Sequence, residues 1–209
     1  MINTIQKIQD IRDARLRGSA LFTLSLALVL CVVFLVRALQ WELYGRVLSL
    51  FLCFVFVFSS IIVLRSGGER SFAAILGVLG CCIASGYSTF SSGGLSNPAA
   101  GWLLILPIVG ALIGGKQGGI FAFVFSLMTG VGLFSIELWM GSLENMTPEG
   151  FRLSQDRLNQ LGQLLIASLS VIALFKQIQF SEELLSDTVI QLSEEVKART
   201  LAEKDAERA

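Results

Sequence analysis

The sequence contains no histidine. That excludes nucleophile systems built on a histidine base, HExxH zinc sites, and a phospho-accepting histidine within these residues. Charge is also scarce, at 15% of 209 residues, where a soluble domain carries about 25%. The two signs balance, 16 basic against 16 acidic, so there is no basic footprint for nucleic acid. No CxxC pair occurs. Cys31, Cys53, Cys81 and Cys82 all lie in apolar stretches and read as small buried hydrophobes. Cys81 and Cys82 are adjacent, and on a helix they point about 100° apart, which suits neither a disulfide nor a chelate. No metal or cofactor is expected, and no catalysis is expected of this chain.

What is present in excess is apolar length. Hydrophobic residues make up 54% of the chain, which with so little charge reads as a membrane protein. A helix needs about 20 mostly apolar residues to cross the hydrocarbon layer. Six stretches qualify: 18–39, 46–64, 71–90, 99–115, 118–140 and 160–176. The first is too long for a cleavable signal peptide and is read as a retained helix. The expected fold is therefore all-α: a polytopic bundle of six transmembrane helices (18–176), preceded by a cytoplasmic segment (1–17) and followed by a cytoplasmic coiled-coil helix (177–209).

Basic residues set the orientation. Lys7, Arg12, Arg15 and Arg17 precede the first span, Arg65 and Arg70 follow the second, and Lys116 follows the fourth. The loop after the third span is uncharged. This alternation predicts both termini in the cytoplasm. Arg37 and Arg46 flank the first outer turn, where long side chains can snorkel to head groups. The longest outer segment, 141–159, is too small for a folded domain, although Thr147–Pro148 signals a helix start. Sensing, if it occurs, is confined to the membrane or its outer surface.

The tail 177–209 has no Gly or Pro. Leu185, Val189, Leu192 and Val196 recur in steps of 4, 3 and 4, a heptad seam. Arg199 and Glu203 continue the register with polar residues, so the seam weakens downstream. It reads as a helix that pairs across a homodimer, or else as an amphipathic helix on solvent or a membrane surface. The chain ends on this helix without a Gly, Asn or turn, so the output it drives is expected beyond residue 209.

Two segments resemble a known class. LSEEVKARTLAEKDAERA, 192–209, with Glu194, Glu195, Val196, Lys197, Ala198, Arg199 and Thr200, looks like the linker before the phospho-accepting helix of bacterial sensor histidine kinases. The same linker type precedes diguanylate cyclase domains. TFSSGGLSNPAAGWLLILPIVGALIGGKQGG, 89–119, resembles the T-x-x-x-G-G-L-x-N/S-P-x-x-x-W motif of multi-span sensors in hybrid histidine kinases, through Thr89, Gly93, Gly94, Asn97, Pro98, Trp102 and Pro107. Related six-helix modules precede some class III adenylate cyclases. The resemblance covers about 50 residues. It implies the sensor module of a two-component receptor in a bacterial inner membrane, signalling to a response regulator or receiver domain through an output not in this chain.

The candidate ligand-binding residues are Thr89, Ser91, Ser92, Asn97, Trp102 and Glu137. The stretch from Ser88 to Asn97 concentrates hydroxyl and amide groups without charge. It is either a well-made helical turn or the rim of a pocket for a small lipophilic or amphiphilic ligand. Glu137 is an acid at membrane depth, a functional candidate by default, unless it reaches head-group water. Trp41, Trp102, Trp139 and Tyr87 fall near outer helix ends, as an aromatic belt against membrane lipid would. Pro107 bends its helix, as a hinge or as a static kink. With Leu185, Val189, Leu192 and Val196 it forms the candidate relay. Gly110 and Gly114 form a GxxxG, which permits close helix approach. GGKQGG, 114–119, lacks the GK[ST] of a phosphate loop and fits a short inner turn.

Two other readings compete with the sensor. A small transporter or channel subunit would need a polar path, and no inner helix pairs an acid with a base. An integral membrane enzyme would need reactive groups that this sequence lacks.

Overall fold

A computed structural model describes the backbone of residues 2–141 and 143–208. Side chains at 2–10, 12, 184, 191, 195 and 201–208 fall outside that description. The expectations placed on Lys7, Arg12, Glu195, Glu203 and the end of the 192–209 linker therefore lie outside the described residues.

The protein is all-helical. Helix α1 spans Ile2–Gln40, α2 Tyr44–Arg65, α3 Arg70–Ser91, α4 Gly101–Met140 and α5 Glu149–Arg208, with one 3₁₀ turn at Pro98–Ala100. Among the described residues there is no strand. A lone antiparallel bridge joins Ser92 to Asn145. All five helices are long and apolar enough to cross a membrane.

Where six separate spans are expected, the chain forms five long helices, because the expected fourth and fifth are two arms of α4. The arms, 101–114 and 116–140, meet at Gly115, whose φ of 64° and ψ of −148° are not helical. Only glycine adopts that backbone without strain. The chain reverses there. Gly119 lies close beside Ala111, and a side chain on Gly110 would collide with Ala122. In a straight helix residues eight apart are about 12 Å apart. Pro107 leaves the dihedrals of the first arm helical; the break falls at Gly115 instead.

Helices α1 and α5 run well past their apolar cores. Neither 2–17 nor 163–208 contains Gly or Pro, so nothing stops the backbone ladder where the hydropathy falls. The helix expected after Pro148 does start at Glu149, but it is the beginning of α5 and not a separate interfacial helix.

Small residues let the helices approach. Ala73 and Ala74 are fully buried, and Ser60 Oγ donates to the Ala73 carbonyl at 2.6 Å, fastening α2 to α3. The GxxxG pair is part of the same packing: Gly110 faces the second arm and Gly114 faces Ala74 and Arg70 of α3. The four cysteines are free, and all but the half-buried Cys81 are buried. Large apolar side chains such as Leu104, Leu138, Leu164 and Trp139 point outward. An apolar exterior of this extent matches a lipid-facing surface.

The two ends of the bundle differ in charge. At one end Arg17 donates to the carbonyls of Leu64, Gly67 and Gly68, and Arg70 Nε to the Ile113 carbonyl. Arg15 covers the Phe180 ring at 4.1 Å at that end. At the opposite end lie Glu137, Glu149 and Asp156, together with Arg46 and Arg152.

Candidate functional site

The charge-mixed end is organised by the N-terminal part of α5. Three of its residues reach the polar turn between α3 and α4. Asn97 Nδ2 donates to Asp156 Oδ1 at 3.4 Å, Trp102 Nε1 to Asn159 Oδ1 at 3.3 Å, and Gln163 Nε2 to the Pro98 carbonyl at 2.6 Å. Positions 156, 159 and 163 share one helical face, so a single side of α5 holds the turn. The loop before α5 is also pinned. Met146 N–H donates to the Ser91 carbonyl, and Trp41 stacks on Phe151 with ring centroids 5.1 Å apart.

Beneath this lies a cavity of about 110 Å³. It is of the order of the ~150 Å³ cavity that holds benzene in an engineered core. Its walls come from α1, α2, α3, the first arm of α4 and α5. Leu30, Phe34, Leu50, Ile105 and Val109 make it apolar, and Arg46, Ser88, Gln155 and Asn159 supply polar groups. An apolar chamber with a few placed polar groups is the general form of a small-molecule site. Among the described residues, no acidic side chain lines it.

Arg46 is the feature that sequence reasoning missed. In place of snorkelling outward it turns inward, with 4% of its surface exposed. Nε donates to Ser91 Oγ at 2.6 Å and Nη2 to Ser92 Oγ at 2.7 Å, while Nη1 has no partner. The inward turn follows from helical periodicity. The buried residues of α2 include Arg46, Ser49, Cys53, Val57, Ser60 and Leu64, one stripe of mostly small or polar residues on a helix otherwise bulky and apolar. In an apolar helix, small and polar positions mark the side that faces other helices. That stripe is the signal that pointed to Arg46.

The six expected binding residues take different places. Trp102 lines the cavity and meets Phe34 edge-on at 6.0 Å. Ser91 and Ser92 hold Arg46. Thr89 is fully buried, and its hydroxyl donates to the Ser85 carbonyl within α3. Asn97 Oδ1 accepts from Ala99 N–H at 2.9 Å, which caps the 3₁₀ turn, as Asn-Pro predicts. Glu137 Oε1 accepts the Leu95 N–H at 2.5 Å, tying the second arm of α4 to the turn. Gly93 and Gly94, both at positive φ, make the tight reversal that brings Leu95 there.

Of the tryptophans, Trp139 is 89% exposed, whereas Trp41 and Trp102 are cavity walls and not belt residues. Of the relay residues, Leu185, Val189, Leu192 and Val196 are all exposed on the free part of α5. No family model, curated protein or solved structure matches the chain.

Proposed function

We propose that this chain is the membrane-embedded sensing module of a bacterial receptor, detecting a small lipophilic or amphiphilic molecule. The observation that carries this reading is continuity. Helix α5 lines the cavity with Gln155, Asn159 and Ile166 and then runs on as one 60-residue helix, about 90 Å long. A ligand that favours one packing of the cavity acts directly on the helix that leaves the bundle. The ligand must bind the two packings with different affinity for the equilibrium to move.

The rest of the reading follows from this arrangement. The arms of α4 count as two crossings, giving six in all. The arginine-rich end, with Arg15, Arg17, Arg65 and Arg70, faces the cytoplasm by the positive-inside rule, and so do both termini. The membrane is the bacterial inner membrane. The exposed seam from Leu185 to Val196 pairs with a second copy, so the receptor is a homodimer. The likeness of 192–209 to the kinase linker supplies the output class: a histidine kinase, and through it a response regulator or receiver domain.

The test is a proline at Val189 in a receptor carrying its output. The expected result is normal membrane insertion with the ligand response abolished. An unchanged response removes the relay.

A further inference from the structure

We infer that the cavity takes an anionic amphiphile, a monocarboxylate on a short apolar body, with its head group at Arg46 and Asn159. The inference deepens the sensing reading and rests on it for biological meaning, though not for the binding itself.

The argument starts from donors without acceptors. Arg46 lines the cavity, almost wholly buried, and its two bonded nitrogens meet only neutral hydroxyls. No carboxylate among the described residues lies within ion-pair distance of it. The acid on the facing helix, Asp156, accepts from Asn97 and acts on Arg46 only across a distance, without an ion pair. The guanidinium is thus fixed in direction with no carboxylate bonded to it, and Nη1 is unpartnered.

Asn159 adds a second donor. It is 1% exposed and also lines the cavity. Trp102 Nε1 can only donate, so the Asn159 atom facing it is the carbonyl oxygen. That settles the amide orientation and leaves Nδ2 as the free end, with no partner. Two cavity residues therefore each hold a buried donor in want of an acceptor. Buried polar groups are nearly always satisfied, and an exception marks a place for a water, ion or ligand.

Charge selects among these. A water offers an acceptor but leaves the buried positive charge with only the distant Asp156 against it, which is expensive in an apolar bundle. One guanidinium matches one negative charge, and a carboxylate presents two oxygens for two donors. The apolar walls, Leu30, Phe34, Leu50, Ile105 and Val109, then take the body of the molecule. Their small volume favours a single short chain or ring over a two-chain lipid.

The test uses the full chain in phosphatidylcholine nanodiscs. Radiolabelled hexanoate is measured by equilibrium dialysis, with empty discs subtracted. Unlabelled hexanoate and phenylacetate compete, one for a linear body and one for an aromatic body, while hexan-1-ol and hexylamine serve as neutral and cationic controls. The expected result is saturable hexanoate binding that the acids displace and the controls do not. Arg46→Gln weakens it at least about tenfold, as loss of a charged partner does. Asn159→Leu weakens it by a smaller factor.

Displacement by hexan-1-ol at the same concentration as hexanoate overturns the inference, as does the absence of saturable binding by either acid. Unchanged affinity in a folded Arg46→Gln protein overturns it too. Should that variant fail to fold, the acid-against-alcohol comparison on the unaltered chain and the Asn159→Leu protein decide. Acid binding without a change in receptor output removes the sensing reading and leaves the site. Output driven by a neutral ligand, with no acid bound, does the reverse.

Discussion

Helix α5 contains two regions written in nearly the same pattern and treated oppositely by the fold. In the bundle, residues 155, 159, 162, 166 and 170 recur in steps of 4, 3, 4 and 4, and all are buried. In the tail, Leu185, Val189, Leu192 and Val196 recur in steps of 4, 3 and 4, and all are more than half exposed. The buried stripe is Gln155, Asn159, Gly162, Ile166 and Ser170, with one large apolar side chain among five. The exposed stripe is apolar throughout. The difference shows that spacing selects a face and residue type selects its cover. On the bundle stripe, Asn159 accepts from Trp102 of the same chain. The apolar tail stripe stays more than half exposed, as a seam for a second copy would.

The largest effect expected from breaking this comparison is Val189→Pro. Proline removes the bond from residue 189 to the Leu185 carbonyl and collides with the preceding turn, at about 3 kcal/mol. The tail should lose helicity by circular dichroism and lose dimer cross-linking. The thermal melt of the bundle should stay in place, because each seam residue is more than half exposed. Gly162→Leu is the reverse case. A side chain there meets the Trp102 ring 3.0 Å from its first carbon. Overpacking costs about 1–3 kcal/mol, so the bundle melt should fall while tail cross-linking persists. A melt lowered equally by both variants would mean that the two halves of α5 are one cooperative unit.

Much of the fold was legible and much of the site was not, for separable reasons. The stretches 46–64 and 71–90 match α2 and α3 to within two residues, because charged or glycine-rich ends coincide with the limits of apolarity there. For α1 and α5 the apolar limits and the helix limits part company, since hydropathy registers the solvent and only breakers end a helix. The reversal expected across 114–119 is concentrated in Gly115, where positive φ does the work of a loop. At the site, Ser91 and Ser92 were found by composition, but their roles depend on a residue about 45 positions away, Arg46, to which both bond. Local pattern identifies a polar turn. It does not say that the turn's hydroxyls serve to aim a buried cation.

Asn159→Leu should have an intermediate effect. It leaves the Trp102 N–H without its acceptor, which costs about 1–3 kcal/mol for a buried donor, and it removes the orphaned amide nitrogen as well. The second change offsets part of the first, so a drop of about 1 kcal/mol in unfolding free energy is expected. Val189 and Leu185 are remote from this contact, and cross-linking through the tail should be untouched.

The smallest effect is expected at Glu137, the acid that membrane depth alone marked as functional. Its carboxylate accepts the Leu95 N–H and does not line the cavity. Glu137→Gln keeps an acceptor oxygen of the same reach and loses only the charge on it. A hydrogen bond to a charged group is worth about 1.5–3 kcal/mol and a neutral one about 0.5–1.5. The expected loss is below about 1 kcal/mol because Glu137 is only half-buried, read as a small fall in melting temperature, with hexanoate affinity unchanged. A large loss of acid binding in Glu137→Gln with the melt intact would instead place this carboxylate in the ligand site. It would then also set a negative group against the one assigned to Arg46.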